Sequence, residues 1–230
     1  RAEQYDRAEQ AYRQSLAINV ARKNRAGEAS SLNELGNLYN EMGHLKEAVI
    51  FYRQAVDIDV ELPNLRDEGI DRSNVANTLI KLQRYAEART ELLRAIECNK
   101  PYGHAAEPWK TFNILYRLEQ ATGNPQAAVV ARQQAMASYL AYRRAGGGEH
   151  ERSAQICAAV AEAMSTGQAA AMQQALVQIA GAQETSAADK LFMAKLQAIL
   201  SGDRNPALAA DPTLFYQAAA ELQLLLERLG

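Results

Sequence analysis

The sequence predicts an all-α fold, a solenoid of antiparallel helix pairs with a helical extension at its C-terminal end. Three observations predict it. Short turn segments recur at an interval of forty residues: Met42-Gly43-His44-Leu45-Lys46-Glu47-Ala48, Leu82-Gln83-Arg84-Tyr85-Ala86-Glu87-Ala88 and Thr122-Gly123-Asn124-Pro125-Gln126-Ala127-Ala128. A fourth copy, Gln4-Tyr5-Asp6-Arg7-Ala8, opens the chain, so the alanines fall at 8, 48, 88 and 128 without drift. A fixed period of this length marks units that bury their apolar faces on one another. Between the turns, apolar residues recur three and four apart, the spacing of one helix face. Apolar residues make up 48% of the 230, enough for a sizeable core.

The first predicted helix, about residues 2–20, places Tyr5, Ala8, Tyr12 and Leu16 on one face. It reads as the second helix of a unit whose first helix lies upstream, so the chain is expected to be a fragment of a longer protein. The clearest unit runs from Ser30 to about Val60. Its first helix carries Leu32, Leu35, Gly36 and Tyr39, and its second Ala48, Tyr52 and Ala55. Gly36 lets a neighbouring helix come close, and Gly43 suits a turn that needs positive φ. The next unit repeats the pattern in part, with Ala76, Leu79, Ala88, Leu92 and Ala95. The third departs from it, with Tyr116, Glu119 and Arg132 at the equivalent positions.

Leu35, Gly36, Tyr39, Ala48, Tyr52 and Ala55 together resemble the signature of the tetratricopeptide repeat (TPR). The common period of that family is about 34 residues. Six further residues should lengthen the helices by more than a turn in total, or extend the links between units. The longer period, with Glu68-Gly69 and Leu35-Gly36-Asn37, resembles the long-repeat variants of kinesin light chains and Pins-type adaptors. On this reading residues 1–144 form a TPR-type array, a half repeat plus three repeats with a truncated start.

Beyond Arg144, the run Ala145-Gly146-Gly147-Gly148 stops the helix, and composition shifts to alanine and glutamine. Residues 145–230 are expected to form four helices, about 150–165, 168–180, 186–201 and 212–229. Ser186 with Asp189 resembles an N-terminal capping pair. Asp211-Pro212 reads as an N-cap followed by proline at the first helical position. These hairpins either cap and extend the solenoid or form a separate module hinged at the glycines.

No residue pattern points to catalysis, a cofactor or a metal. The glycine run lacks the Lys-Ser/Thr of a phosphate loop, and His150-Glu151 lacks the second histidine of a zinc-protease helix. Cys98 and Cys157 read as buried free thiols of a reducing compartment, with no metal-ligand neighbour at short spacing. The acid pairs Asp57/Asp59 and Asp67/Glu68 read as solvated surface charge. Trp109 reads as a residue packed at a helix start. A net charge of -2 argues against a phosphate-tracking surface and so against nucleic acid. No apolar run approaches the eighteen residues or so of a membrane span. A cytoplasmic location is expected.

The face of each first helix opposite the buried one carries Asn33, Asn37 and Asn40 in the first complete unit. In the next it carries Ser73 and Asn77, and in the third Lys110, Asn113 and Arg117. Asn37 and Asn77 are forty apart, as are Asn33, Ser73 and Asn113. The TPR resemblance implies that first helices line a concave groove, where these residues would form ladders against an extended peptide. An amide side chain pairs with both groups of a peptide backbone. Lys110 and Arg117 would add attraction for an acidic or carboxyl-terminal group. The expected function is therefore non-catalytic protein–protein interaction with a peptide or protein segment in the groove. Self-association through the terminal helices is a further expectation. The rival reading is a ligand-sensing segment of a larger, bacterial-type signalling protein.

Overall fold

The computed structural model describes residues 2–230 and contains eleven α-helices among the described residues. They are α1 (Ala2–Ala21), α2 (Arg25–Glu41), α3 (Leu45–Glu61), α4 (Leu65–Lys81), α5 (Tyr85–Asn99), α6 (Pro108–Ala121), α7 (Pro125–Arg144), α8 (Arg152–Ser165), α9 (Ala169–Gly181), α10 (Ala187–Leu200) and α11 (Tyr216–Leu229). Short 3₁₀ segments cover Lys100–Ala106 and Pro206–Leu208. The chain divides into two compact units, one up to Ala135 and the other Met136–Gly230, and the division falls within α7.

The repeat is finer than forty residues. Helices α2 to α5 begin at Arg25, Leu45, Leu65 and Tyr85, twenty apart, and α7 begins on the same frame at Pro125. Each half-unit is a 17-residue helix in α2, α3 and α4, followed by a three-residue turn. The six residues by which this period exceeds the common one therefore lie in the helices and not in the links.

The turns share one hydrogen-bond device. The N–H of Asn24, His44, Asn64, Arg84 and Asn124 each donates to the carbonyl five residues earlier, on Asn19, Tyr39, Asp59, Leu79 and Glu119, all at 2.9 Å. This is the Schellman closure, which requires a left-handed residue just before the donor. That residue has φ of +54° at Lys23, +80° at Gly43, +59° at Gln83 and +71° at Gly123. At Pro63 φ is only +25°, where the ring resists the turn. Asn24 and Asn64 then serve the next helix, accepting from Gly27 N at 3.2 Å and Asp67 N at 3.4 Å.

Packing within the first unit follows the predicted stripes. Ala48, Ala88, Leu35, Leu79 and Leu92 are all fully buried, and Tyr52 almost so. A Cβ at Gly36 would come within 2.6 Å of the Tyr52 ring, so this helix crossing has room only for glycine. One apolar cluster runs from Ala48 and Tyr52 through Val75 and Leu79 to Leu92 and Leu118. Trp109 is buried at the start of α6, and both cysteines are buried free thiols.

The frame slips once. In place of a three-residue turn after α5, the chain forms Lys100–Ala106, with Gly103 at φ +54° and Glu107 at φ +48°. Helix α6 therefore starts at Pro108, three residues after the frame position 105, and has 14 residues.

In the second unit, α8, α9, α10 and α11 close on a core of Val160, Leu176, Phe192, Leu196, Ile199 and Leu222. Ser186 caps α10, accepting from Asp189 N at 3.1 Å, as the sequence predicts. The predicted cap at Asp211-Pro212 is corrected. The Asp211 carboxylate is committed to Thr213, at 3.0 Å to N and 2.6 Å to Oγ1, and forms a local turn. Helix α11 begins only at Tyr216.

Candidate functional site

A row of polar pairs joins each second helix to the first helix that follows it. Asn19 Nδ2 donates to Ser31 Oγ at 3.1 Å, and Asn99 Nδ2 donates to Thr111 Oγ1 at 3.1 Å. Between them in sequence, the buried carboxyls of Asp59 and Asp71 hold the same two positions and interact electrostatically. The three pairs have the same separation, twelve residues, and sit forty apart along the chain. The first-helix member is buried in every case, and Asp59 and Asp71 are each only 2% exposed.

Each of the latter two first-helix members also reaches back to the preceding first helix. Asn33 donates to Asp71, and Ser73 shares a 3.0 Å hydrogen bond with Thr111. Both links span 38 residues. Asn33 Oδ1 is further occupied by Asn74 Nδ2 at 3.3 Å, and Ser73 donates to Gly69 O at 2.8 Å. Asn33 and Ser73 thus belong to an internal polar seam. Ser73 is buried, with its hydroxyl held between Gly69 and Thr111.

Two carboxyls in this seam cannot both ionise. Burial above all, then the Asp59 charge, pushes Asp71 up to about 9, while burial and the nearby Asp67 charge raise Asp59 to about 6. The pair therefore holds on to a proton that two solvated carboxyls would release well below neutral pH. Asp59 Oδ2 has no hydrogen-bond partner among the described residues. The expectation of solvated charge at Asp59 and Glu68 is corrected, because both are buried. Glu68 accepts from Arg72 Nε at 2.8 Å and from Arg94 Nε and Nη2 at 2.8 and 3.1 Å.

The other candidate residues lie nearer the surface. Asn37 is half-buried, and its Oδ1 accepts from Tyr52 OH at 2.8 Å. Asn77 Oδ1 accepts from Arg117 Nη1 at 2.9 Å, a bond that ties α4 to α6. In both asparagines the carbonyl is taken, and the amide NH₂ makes no hydrogen bond among the described residues. Asn113 is half-buried and makes no side-chain hydrogen bond among the described residues. Asn40 contacts Thr78 at 3.5 Å and accepts from Lys81 Nζ at 2.6 Å. Lys110 pairs with Glu107 at 2.5 Å.

Between α4 and α6 lies a cavity of about 330 Å³. Ser73 and Thr111 form its polar side, Ile70 and Ile114 its apolar side, and Arg66 brings positive charge, while Lys110 is paired with Glu107, which also lines the cavity. Arg66, on the first turn of α4, extends the stripe of Ile70, Ser73 and Asn77 by one more turn, which the sequence reading stops short of. The Asp59–Asp71 pair was equally absent from the prediction. Its signal was present in the forty-residue spacing of Asn19, Asp59 and Asn99.

Residues 1–59 match the family model of the tetratricopeptide repeat, which is about a quarter of the chain. Repeats of this kind generally mediate protein–protein interactions. No curated protein matches the chain. Among the described residues, no helix is long and apolar enough to cross a membrane.

Proposed function

We propose that the first-helix face of the repeat array is a non-catalytic binding surface for an extended peptide or protein segment. The observation that supports it most is the pair Asn37 and Asn77. They stand forty residues apart on equivalent turns of α2 and α4, each with its carbonyl held internally and its NH₂ free among the described residues. Held this way, each amide presents fixed donors suited to a backbone carbonyl. Asn113 continues the row on α6, and Arg117 and Arg66, with Lys110 beside them in its pair with Glu107, favour an acidic or carboxyl-terminal group. Asn40 adds a half-buried polar contact at the end of α2. Asn33 and Ser73 serve the face indirectly, by fixing the spacing of the helices that carry it.

Helices of 17 residues support reading the array as a long-repeat variant similar to those of kinesin light chains and Pins-type adaptors. A partner recovered by pull-down with the chain provides the test. Asn77→Ala should weaken its binding in calorimetry by about 1–3 kcal/mol, the usual cost of stranding a polar partner. Helicity and Tm should change little. Unchanged affinity would remove the amide clamp and move the contact to another surface.

A further inference from the structure

A charged cluster in the middle repeat becomes an apolar cavity forty residues later. Glu68, buried, is clamped by Arg72 and Arg94, and Arg72 also reaches Glu91 at 2.6 Å. The residues forty positions on are Pro108, Phe112, Gln134 and Ala131, so all four charges are gone. Arg53, which pairs with Glu87 at 2.9 Å, is likewise replaced by Leu93, which is 55% exposed. What remains is a cavity of about 520 Å³, with Leu93, Ile96, Pro108, Phe112 and Leu115 on its walls and Gln134 at its edge.

We propose that this cavity binds a small, uncharged, apolar molecule. Its size and lining are those of small-molecule pockets, mainly apolar with a few polar groups. Its charged neighbours, Glu97 and Lys100, neutralise each other through contacts of 2.6 and 2.7 Å. The lining therefore offers no net charge to pair with an ionic ligand, and a charged group there would lose its hydration without compensation. The site lies between α5 and α6 and does not depend on the peptide-binding reading of the first-helix face.

The test uses the whole chain and the uncharged fluorescent probe N-phenyl-1-naphthylamine, which brightens in apolar surroundings. The chain should bind it saturably at one site. Leu93→Arg, which restores the residue type found forty positions earlier, should weaken binding at least tenfold. Ile96→Trp, which fills the cavity, should do the same, so that the test does not depend on a single variant. Ile50→Arg, at a residue 56% exposed on α3 outside the cavity, should leave binding unchanged. Circular dichroism checks that each variant is folded. Absence of saturable binding overturns the proposal, as does equal weakening by Ile50→Arg. So does a concentration-dependent rise in mass by sedimentation that Leu93→Arg abolishes without any probe binding, because the cavity would then seat a second copy of the chain.

Discussion

Asp71 makes the pH response of this protein opposite to that of an ordinary surface carboxyl. A carboxyl raised to about 9 in the fold keeps a proton that the unfolded chain gives up near its usual value of about 4. Its stabilising contribution is complete below that unfolded value and declines as pH rises toward the folded value. The slope is about 1.4 kcal/mol per pH unit while one proton separates the two states. Asp59, raised to about 6, acts in the same direction over a lower range. Asp71→Asn keeps a donor for Asp59 and an acceptor for Asn33 but cannot ionise. Its stability relative to the unsubstituted chain, from urea unfolding at pH 5, 7 and 9, should rise steadily with pH. A difference independent of pH would mean that the two carboxyls do not share a proton. The pairs Asn19/Ser31 and Asn99/Thr111 show that neutral side chains fill the same positions in the neighbouring repeats.

The turn is the element that closes each half-unit in the same way. Gln83 occupies at φ +59° the place that Gly43 and Gly123 hold at +80° and +71°. A side chain with a Cβ costs roughly 1 kcal/mol in that left-handed conformation. Gln83→Gly should therefore raise unfolding stability by about 0.5–1 kcal/mol, and Gly43→Gln should lower it comparably. If Gln83→Gly is neutral or destabilising by urea titration, the closure at Arg84 is not under strain. Turns and buried stripes were legible in the sequence because both are local: Gly43, Ala48 and Tyr52 lie within ten residues of one another. The polar seam was not, because its bonds join residues 12 and 38 apart, and only superposed repeats bring those together. That is why Asn33 and Ser73 read in the sequence as open-face residues, although both are hydrogen-bonded across to neighbouring first helices. The tail shows the reverse limit. Asp211-Pro212 has the composition of a helix start, yet the carboxylate finds Thr213 first and the helix waits for Tyr216.

Across the whole molecule, burial predicts a graded resistance to opening. No described side chain of α1 is buried, and Ile18 and Val20 are both exposed. Helices α3 and α5 instead hold Ala48, Ala55, Leu92 and Ala95 entirely out of solvent. Elements with few buried apolar contacts open at little free-energy cost. Hydrogen–deuterium exchange should find α1 the fastest-exchanging helix of the first unit and α3 among the slowest. Equal protection of the two would require another surface to cover α1. The constant frame also bears on which changes of length the chain tolerates. One inserted residue turns everything downstream by about 100° and carries buried side chains off their face. Twenty would exchange the roles of first and second helices. Forty would restore every partner. Insertions and deletions in the array are therefore quantised, and the stretch from Tyr85 to Asn124 shows the rule being kept. There α5 and α6 are short and an irregular segment is long, but α7 still begins forty residues after α5.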